Sequence, residues 1–418
     1  MELVGSILIM IGRVLINTFT TPFYVLLYFS LFLLVAWQYR RQQNISASLH
    51  KTRSNTYLKS AFLSTMSGIL GGIVGSSLLV FLGIDLSGIG VTQLWLVALV
   101  LMLIQPRFLC FAYAAGVLAI ANLLIGYPHI SIPQLMGLVA VLHIVESLLI
   151  LINGSFNAIP VYIKKQGQLR GGFNLQLFWP IPLVALMSVG YSDLAVTGIE
   201  MPLWWPLLKD YATFADDQAF ALLPILAVLG YGEISTSRTP FQASRKSSLL
   251  LFIFSLLLLL LAVLASYQAA FLPLLAVFSP LGHELVIWLG MRAETRPPIY
   301  IPPSRGVMIL AVLAGSSAAR TGLKSRDIIL KVNGVMLNSY PAFEEIINCS
   351  GQEITLEIER EGKFQTMVLS LTKDRNPGII PVPDPSVAHY LAEGDDRIFF
   401  LARRLWLKLS KLLKRRSS

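Results

Sequence analysis

Between Ser247 and Gln268, and again between Gln134 and Asn153, the chain runs for about 20 residues with almost no charge, the length that crosses a hydrocarbon core of about 30 Å. No other feature limits the fold as strongly. Composition agrees: 55% of the 418 residues are hydrophobic and 13% are charged, whereas soluble domains carry about a quarter charged.

Nine segments qualify as spans, at about 22 to 38, 60 to 82, 91 to 105, 108 to 125, 134 to 153, 174 to 192, 218 to 232, 247 to 268 and 269 to 291. Cytosolic loops are enriched in Lys and Arg, which tests the order independently. If the first span runs outside to inside, Arg40, Arg41, Lys51, Arg53, Lys59, Arg107, Lys164, Lys165, Arg170, Arg238, Arg245 and Lys246 fall on the cytosolic side, against Lys209 alone on the other. The outer loop from Asp193 to Asp217 is acidic, with Glu200, Asp210 and Asp216. Everything after Arg292 is then expected in the cytosol of a bacterial cell, with the bundle in its cytoplasmic membrane.

Residues 1 to 20 are apolar but carry Gly5, Gly12 and Arg13. They read as an interfacial or re-entrant helix, with a short extra span as the alternative. Met1-Glu2 lacks a basic n-region, so no signal peptide is expected. Gly68, Gly71, Gly72 and Gly75 place small residues at four-residue spacing, which suits close internal packing or a homo-oligomer face. The net charge of +10 sits in loops beside spans and in the C-terminal part, a pattern for anionic lipid and not for nucleic acid. Cys110 and Cys349 offer neither a disulfide framework nor a Cys metal cluster. No cofactor is expected.

Past Arg292 the composition changes. Pro297, Pro298, Pro302 and Pro303 mark residues 292 to 304 as an extended linker. Val307 to Val312 and Asp327 to Val332 read as strands, the second ending in the turn pair Asn333-Gly334. Ser339 can cap a helix from Tyr340 to Asn348 with Pro341 in its first turn. Glu353 to Arg360 and Lys363 to Leu371 alternate around Glu361-Gly362 as a hairpin.

The run Gly306-Val307-Met308-Ile309, Ala318-Ala319, Gly322-Leu323, Asp327-Ile328-Ile329 and Val332-Asn333-Gly334 closely resembles a bacterial PDZ domain over about 300 to 373, with Arg326 where a Gly usually precedes the Asp. PDZ domains bind extended segments as an added strand. The resemblance puts the groove between a strand edge and the 340 to 348 helix. Its candidate residues are Ser304, Arg305, Gly306 and Val307 on one side and Phe343, Ile346 and Ile347 on the other. The last three also suit a domain core. The domain is bounded at 305 to 373, a linker at 374 to 394.

A membrane bundle joined to a PDZ domain is also the plan of site-2 metalloproteases. Zinc on one helix needs two His at i and i+4 with a Glu beside the first. Gly282-His283-Glu284-Leu285-Val286-Ile287 has Ile in the second ligand place. No metal site and no enzyme are therefore expected. His143 with Glu146 reads as a generic polar pair, and His283 with Glu284 as a structural pair in a helix break near the membrane boundary, bonding loop backbone or steadying the bundle against the PDZ domain.

From 395 to 418 the tail reads as a basic amphipathic helix. Ile398, Leu401, Ala402, Leu405, Leu409 and Leu412 form one stripe, and Arg403, Arg404, Lys408, Lys411, Lys414 and Arg415 lie opposite, the composition of a helix on an anionic leaflet; the alternative is that the apolar stripe packs on the PDZ domain or a partner helix. The fold expected for the whole chain is an α-helical polytopic membrane bundle followed by a small α+β PDZ-like domain and this tail.

Further stretches carry a wider resemblance: Thr21-Pro22-Phe23-Tyr24, Ile132-Pro133-Gln134-Leu135-Met136, Asn157-Ala158-Ile159-Pro160-Val161-Tyr162, Gly171-Gly172-Phe173-Asn174-Leu175-Gln176, Phe178-Trp179-Pro180-Ile181-Pro182 and Ser279-Pro280-Leu281-Gly282-His283-Glu284. With the PDZ segment they resemble the MinJ-type family of Gram-positive division-site topology proteins. The resemblance implies an adaptor between a DivIVA-type scaffold and a MinD-type ATPase. The residues themselves also allow a PDZ adaptor in secretion or proteolysis control, or a degenerate site-2-protease-like protein.

Overall fold

The computed structural model describes residues 2–50, 56–165, 167–189, 201–209, 219–372, 375–384 and 391–392. The tail expectation at 395 to 418, with Arg403, Arg404, Lys408, Lys411, Lys414 and Arg415, lies outside these, as do the acidic residues Glu200, Asp210 and Asp216.

Helices α1 (Glu2–Thr20), α2 (Pro22–His50), α3 (Tyr57–Leu82), α4 (Val91–Ile104), α5 (Phe111–Ile125) and α6 (Ile132–Asn153) open the chain. Strands β1 (Ile159–Lys165), β2 (Gln168–Val189) and β3 (Ala219–Ser235) interrupt them, and helices α7 (Pro240–Tyr267) and α8 (Leu272–Ala293) follow. Six of the helices, α1, α2, α3, α6, α7 and α8 with the turn before it, are long and apolar enough to cross a membrane. Residues 2–20 form one helix, long and apolar enough to cross a membrane.

The sixth and seventh expected spans are not helices. Residues 168–189 and 219–235 pair as one long antiparallel hairpin, from Phe173↔Ser235 to Val189↔Ala219. Three prolines weigh against a helix here, since Pro180, Pro182 and Pro224 would each remove a helix hydrogen bond, and two of them lie only two residues apart. On β2 the amides of Phe178, Val184 and Ser188 point away from β3, to Tyr39 Oη, Ser76 Oγ and Asp85 Oδ1. Pro180 and Pro182 share that parity, so they remove no ladder bond. β2 lies along α3, where a Cβ on Gly68 or Gly72 would overlap the carbonyl oxygen of Pro180 or Pro182. The small-residue stripe therefore serves contact within the chain. Gly71 faces Val145 and Leu149 of α6, the helix at the centre of the core.

The C-terminal part contains β4 (Val307–Val312), α9 (Ser317–Thr321), β5 (Ile328–Val332), β6 (Val335–Met336), α10 (Tyr340–Cys349), β7 (Glu353–Arg360), β8 (Lys363–Ser370), β9 (Ile379–Pro381) and β10 (Leu391–Ala392). Asn333-Gly334 and Glu361-Gly362 all have positive φ, as tight hairpin turns require. The sheet order is β8-β7-β5-β4-β9 with β6 on β5. One side of it, with Phe343 and Ile347 of α10, forms its own core. Tyr300, Leu310, Ile380 and Val382 instead join the core of the bundle and hairpin.

The Pro-rich stretch is pinned at both ends. Glu294 accepts from the amides of Thr236 and Ser237 at 2.9 and 3.1 Å, and from the Ser235 and Ser237 hydroxyls. Gly171 N–H donates to Tyr300 O at 3.0 Å.

Candidate functional site

The expected groove starts at Gly306. Its φ is +77° and a Cβ there would overlap Ile329 O, so only glycine fits without strain. Its N–H donates to Leu337 O at 3.2 Å and is not free for a peptide carboxylate. Ser304 and Arg305 are exposed, Val307 is buried, Phe343 and Ile347 are core, and Ile346 is half-buried against them. Of the two readings left open for the helix residues, core holds for Phe343 and Ile347.

The edge of β4 is not open, contrary to expectation. β9 lies on it, with Val312↔Ile379, Ala311↔Ile380 and Ile309↔Pro381 as partners. Leu313 N–H donates to Gly378 O and Val382 N–H to Met308 O, both at 2.9 Å. Arg375 fixes the approach to this strand, its guanidinium donating to the carbonyls of Ile347, Asn348 and Ser350 at the end of α10.

Two carbonyls on the outer edge of β9 are taken. Ile379 O accepts from Tyr340 Oη at 3.4 Å and Pro381 O from Tyr162 Oη at 2.9 Å, while Pro381 has no amide to give. Burial, with nearby Glu344, pushes the Tyr340 phenol up to about 12, so it remains a donor. No hydrophobic alternation announces 375–382, and sequence reasoning placed it in a linker.

Under the groove, Asp327 is 1% exposed. Arg360 holds it twice, Nη2 to Oδ2 at 2.6 Å and Nε to Oδ1 at 2.7 Å. That hydrogen bond to Asp327 is the main reason the Arg360 pKa rises. Arg326, in place of the usual Gly, sits at φ +75°.

A second constellation lies in the bundle. Cys110 caps α5, His143 sits on α6 and His283 on α8. Cys110 Sγ is 3.2 Å from His143 Nε2 and 3.5 Å from His283 Nε2. The three ligand-capable atoms lie within 4.8 Å of one another. His143 Nδ1 donates to Val139 O at 2.7 Å, which leaves its Nε2 with a free lone pair. Tyr113 and Phe254 pack on the rings.

The expectation for His283 and Glu284 needs correcting. α8 is continuous through Pro280, so there is no helix break. Glu284 pairs with Arg107 at 3.0 Å and accepts from Tyr113 Oη at 2.7 Å. Both partners belong to the bundle, and Glu294 provides the anchor at the junction with the C-terminal domain. The cluster was missed because Cys110 stands 33 and 173 residues from its partners, with no motif spacing to connect them.

The PDZ domain family profile matches residues 308–360. The periplasmic serine endoprotease DegP of Salmonella typhimurium is 31% identical over 92 residues, 22% of this chain and 19% of that protein. The protease RseP of Yersinia pestis is 35% identical over 124 residues, 26% of this chain and 25% of that protein. The magnetosome formation protease MamE of Magnetospirillum gryphiswaldense is 33% identical over 96 residues, 20% of this chain and 12% of that protein. The chain therefore spans a quarter or less of the length of these relatives, and the matches fall on the PDZ region. Among solved structures, the PDZ domain of the SdrC-like protein of Listeria monocytogenes aligns over 20% of this chain and 93% of its own, at 21% identity and a TM-score of 0.17. Residues 308–360 of this chain are a PDZ domain.

Proposed function

We propose that the chain is a membrane-anchored adaptor whose PDZ domain takes a partner segment as a strand on β4, in exchange for its own residues 377–382. The observation that carries this is the β9 strand itself. It fills the edge where PDZ domains receive a ligand strand, yet it pairs over three residues with a register shift between Ile309 and Ala311. On the outer edge of β9 the Ile379 and Pro381 carbonyls are taken and Pro381 has no amide, which leaves too little for a further strand, so a partner reaches the sheet by replacing β9.

Binding and not catalysis is the proposed activity. The His283 helix has Ile287 where a second zinc-binding His would stand, and the Glu284 carboxylate is engaged by Arg107 and Tyr113. The proposed location is the bacterial cytoplasmic membrane with the PDZ domain in the cytosol. The β2–β3 hairpin returns the chain to the side it left, as two spans would, so the Lys and Arg count keeps its sign. Anionic lipid is the proposed partner of the tail.

The resemblance to the MinJ-type family supports division-site positioning as the process, with a DivIVA-type scaffold and a MinD-type ATPase as partners. A second reading, regulation of proteolysis or secretion, is favoured by the likeness of the PDZ region to those of DegP and RseP.

The test locks the strand. Ala311→Cys with Ile380→Cys, in a Cys349→Ser background, places a cross-strand disulfide over β9. Native purification from membranes is then compared with the lock closed and reduced. Strand exchange expects partners only in the reduced form, and equal recovery in both rejects it. Recovery of division proteins supports the first process, and recovery of a protease with its substrate supports the second.

A further inference from the structure

We propose that Cys110, His143 and His283 bind a zinc ion inside the helical bundle. The argument begins with separations. A tetrahedral zinc site with bonds of about 2.3 Å to sulfur and about 2.0 Å to nitrogen sets its ligand atoms roughly 3.5 Å apart. The two sulfur-to-nitrogen distances are 3.2 and 3.5 Å, and all three atoms are within 4.8 Å. Three ligands converge at that spacing from three separate elements: the turn before α5, α6 and α8.

The chemistry of the donors selects the ion. One thiol and two imidazoles form a borderline-soft set that suits zinc and excludes magnesium or calcium, which take oxygen. The surroundings are arranged as second shells are. The Nδ1–H of His143 is held by Val139 O at 2.7 Å, which fixes the ring and presents Nε2. The His283 ring is held by the Tyr113 and Phe254 rings, and its Nδ1 is buried without a hydrogen-bond partner, so its Nε2, beside the thiol, is the ring atom placed for the ion.

Charge fits as well. A dication with one thiolate and two neutral imidazoles leaves a single positive charge. Glu146, one turn beyond His143 on α6, is half-buried and makes no hydrogen bond or ion pair among the described residues. On ionising, Glu146 would offset that charge, which matters in an apolar bundle. Binding displaces the Cys110 thiol proton to solvent, so loading is expected to fall with acid. The bound ion would join the entrance of α5 to α6 and to α8, the helix that leads through Glu294 into the PDZ domain.

The test uses full-length, tag-free protein in detergent, purified without chelator and measured for metal by mass spectrometry. Stoichiometric zinc is expected, falling to background in Cys110→Ser and in His283→Ala but not in the control Cys349→Ser. Because the ligand variants can fail to fold, wild-type protein stripped of metal is also titrated with cobalt(II). A thiolate-to-cobalt charge-transfer band with tetrahedral d–d absorption supports the site. Absence of both zinc and that band in wild-type protein, or zinc unchanged in Cys110→Ser and His283→Ala, overturns it.

Discussion

The Ser76 hydroxyl accepts the Val184 amide proton at 2.8 Å and gives its own proton to Gly72 O at 2.6 Å. One side chain thus satisfies a strand amide and a helix carbonyl where α3 and β2 touch. Ser76→Ala leaves that buried amide unpaired and is expected to destabilise the bundle by about 1–3 kcal/mol. Gly72→Leu, which drives a side chain into Pro182 O, is expected to detach β2 altogether. Thermal unfolding in detergent, followed by intrinsic fluorescence, ranks wild type, Ser76→Ala and Gly72→Leu in that order.

Arg326→Gly tests the backbone at the PDZ turn. An L-residue at φ +75° costs about 1–2 kcal/mol, and glycine adds back part of that in unfolded-chain entropy. A net gain of about 0.5–1 kcal/mol is expected. Chemical denaturation of full-length protein, monitored on the PDZ signal, measures it; a loss of stability contradicts this account.

Breaking the Asp327–Arg360 pair should do the opposite. Arg360→Met leaves a carboxylate 1% exposed without its cation, a change worth about 3–5 kcal/mol. The PDZ domain is expected to unfold at lower denaturant while the helical signal of the bundle persists. Limited proteolysis separates the two.

The junction should be acid-sensitive. Burial raises the Glu294 pKa, but the amides of Thr236 and Ser237 and the hydroxyls of Ser237 and Ser235 outweigh it, and the net shift is downward. A carboxyl lowered in the folded state stabilises above its unfolded pKa of about 4.3, and that contribution disappears as pH falls through the lower native value. Hydrogen exchange at 294–300 and 235–237 is expected to rise selectively over that window. Glu294→Gln should abolish the dependence and cost about 1 kcal/mol, reduced by the group's partial exposure.

How much of this was written legibly in the chain depends on range. The spans at α6 and α7 follow from unbroken apolar runs, and the PDZ turns from Asn333-Gly334 and Glu361-Gly362, because these signals are local. β2 and β3 are equally apolar, so hydropathy counted them as spans; Pro180, Pro182 and Pro224 were the dissenting residues. Their meaning depended on which way each amide faced, and Tyr39, Ser76 and Asp85 decide that from more than a hundred residues away. The Cys110, His143 and His283 cluster is of the same kind, made by packing and not by spacing. Residues 377–382 carry no pattern beyond Ile379-Ile380 between prolines, so their role as a strand is set by the edge of β4 that they cover.

The hairpin has a consequence for biogenesis. If the bundle sits in a bilayer, β2 cannot be released into lipid on its own as a helix can, because its alternate amides find no acceptor in hydrocarbon. Their acceptors, Tyr39, Ser76 and Asp85, are all synthesised before β2 leaves the ribosome. The first three helices therefore form a receptacle that must be in place to receive the hairpin. The two strands must enter it together, which makes this protein's insertion an ordered, multi-segment event and not a series of independent spans.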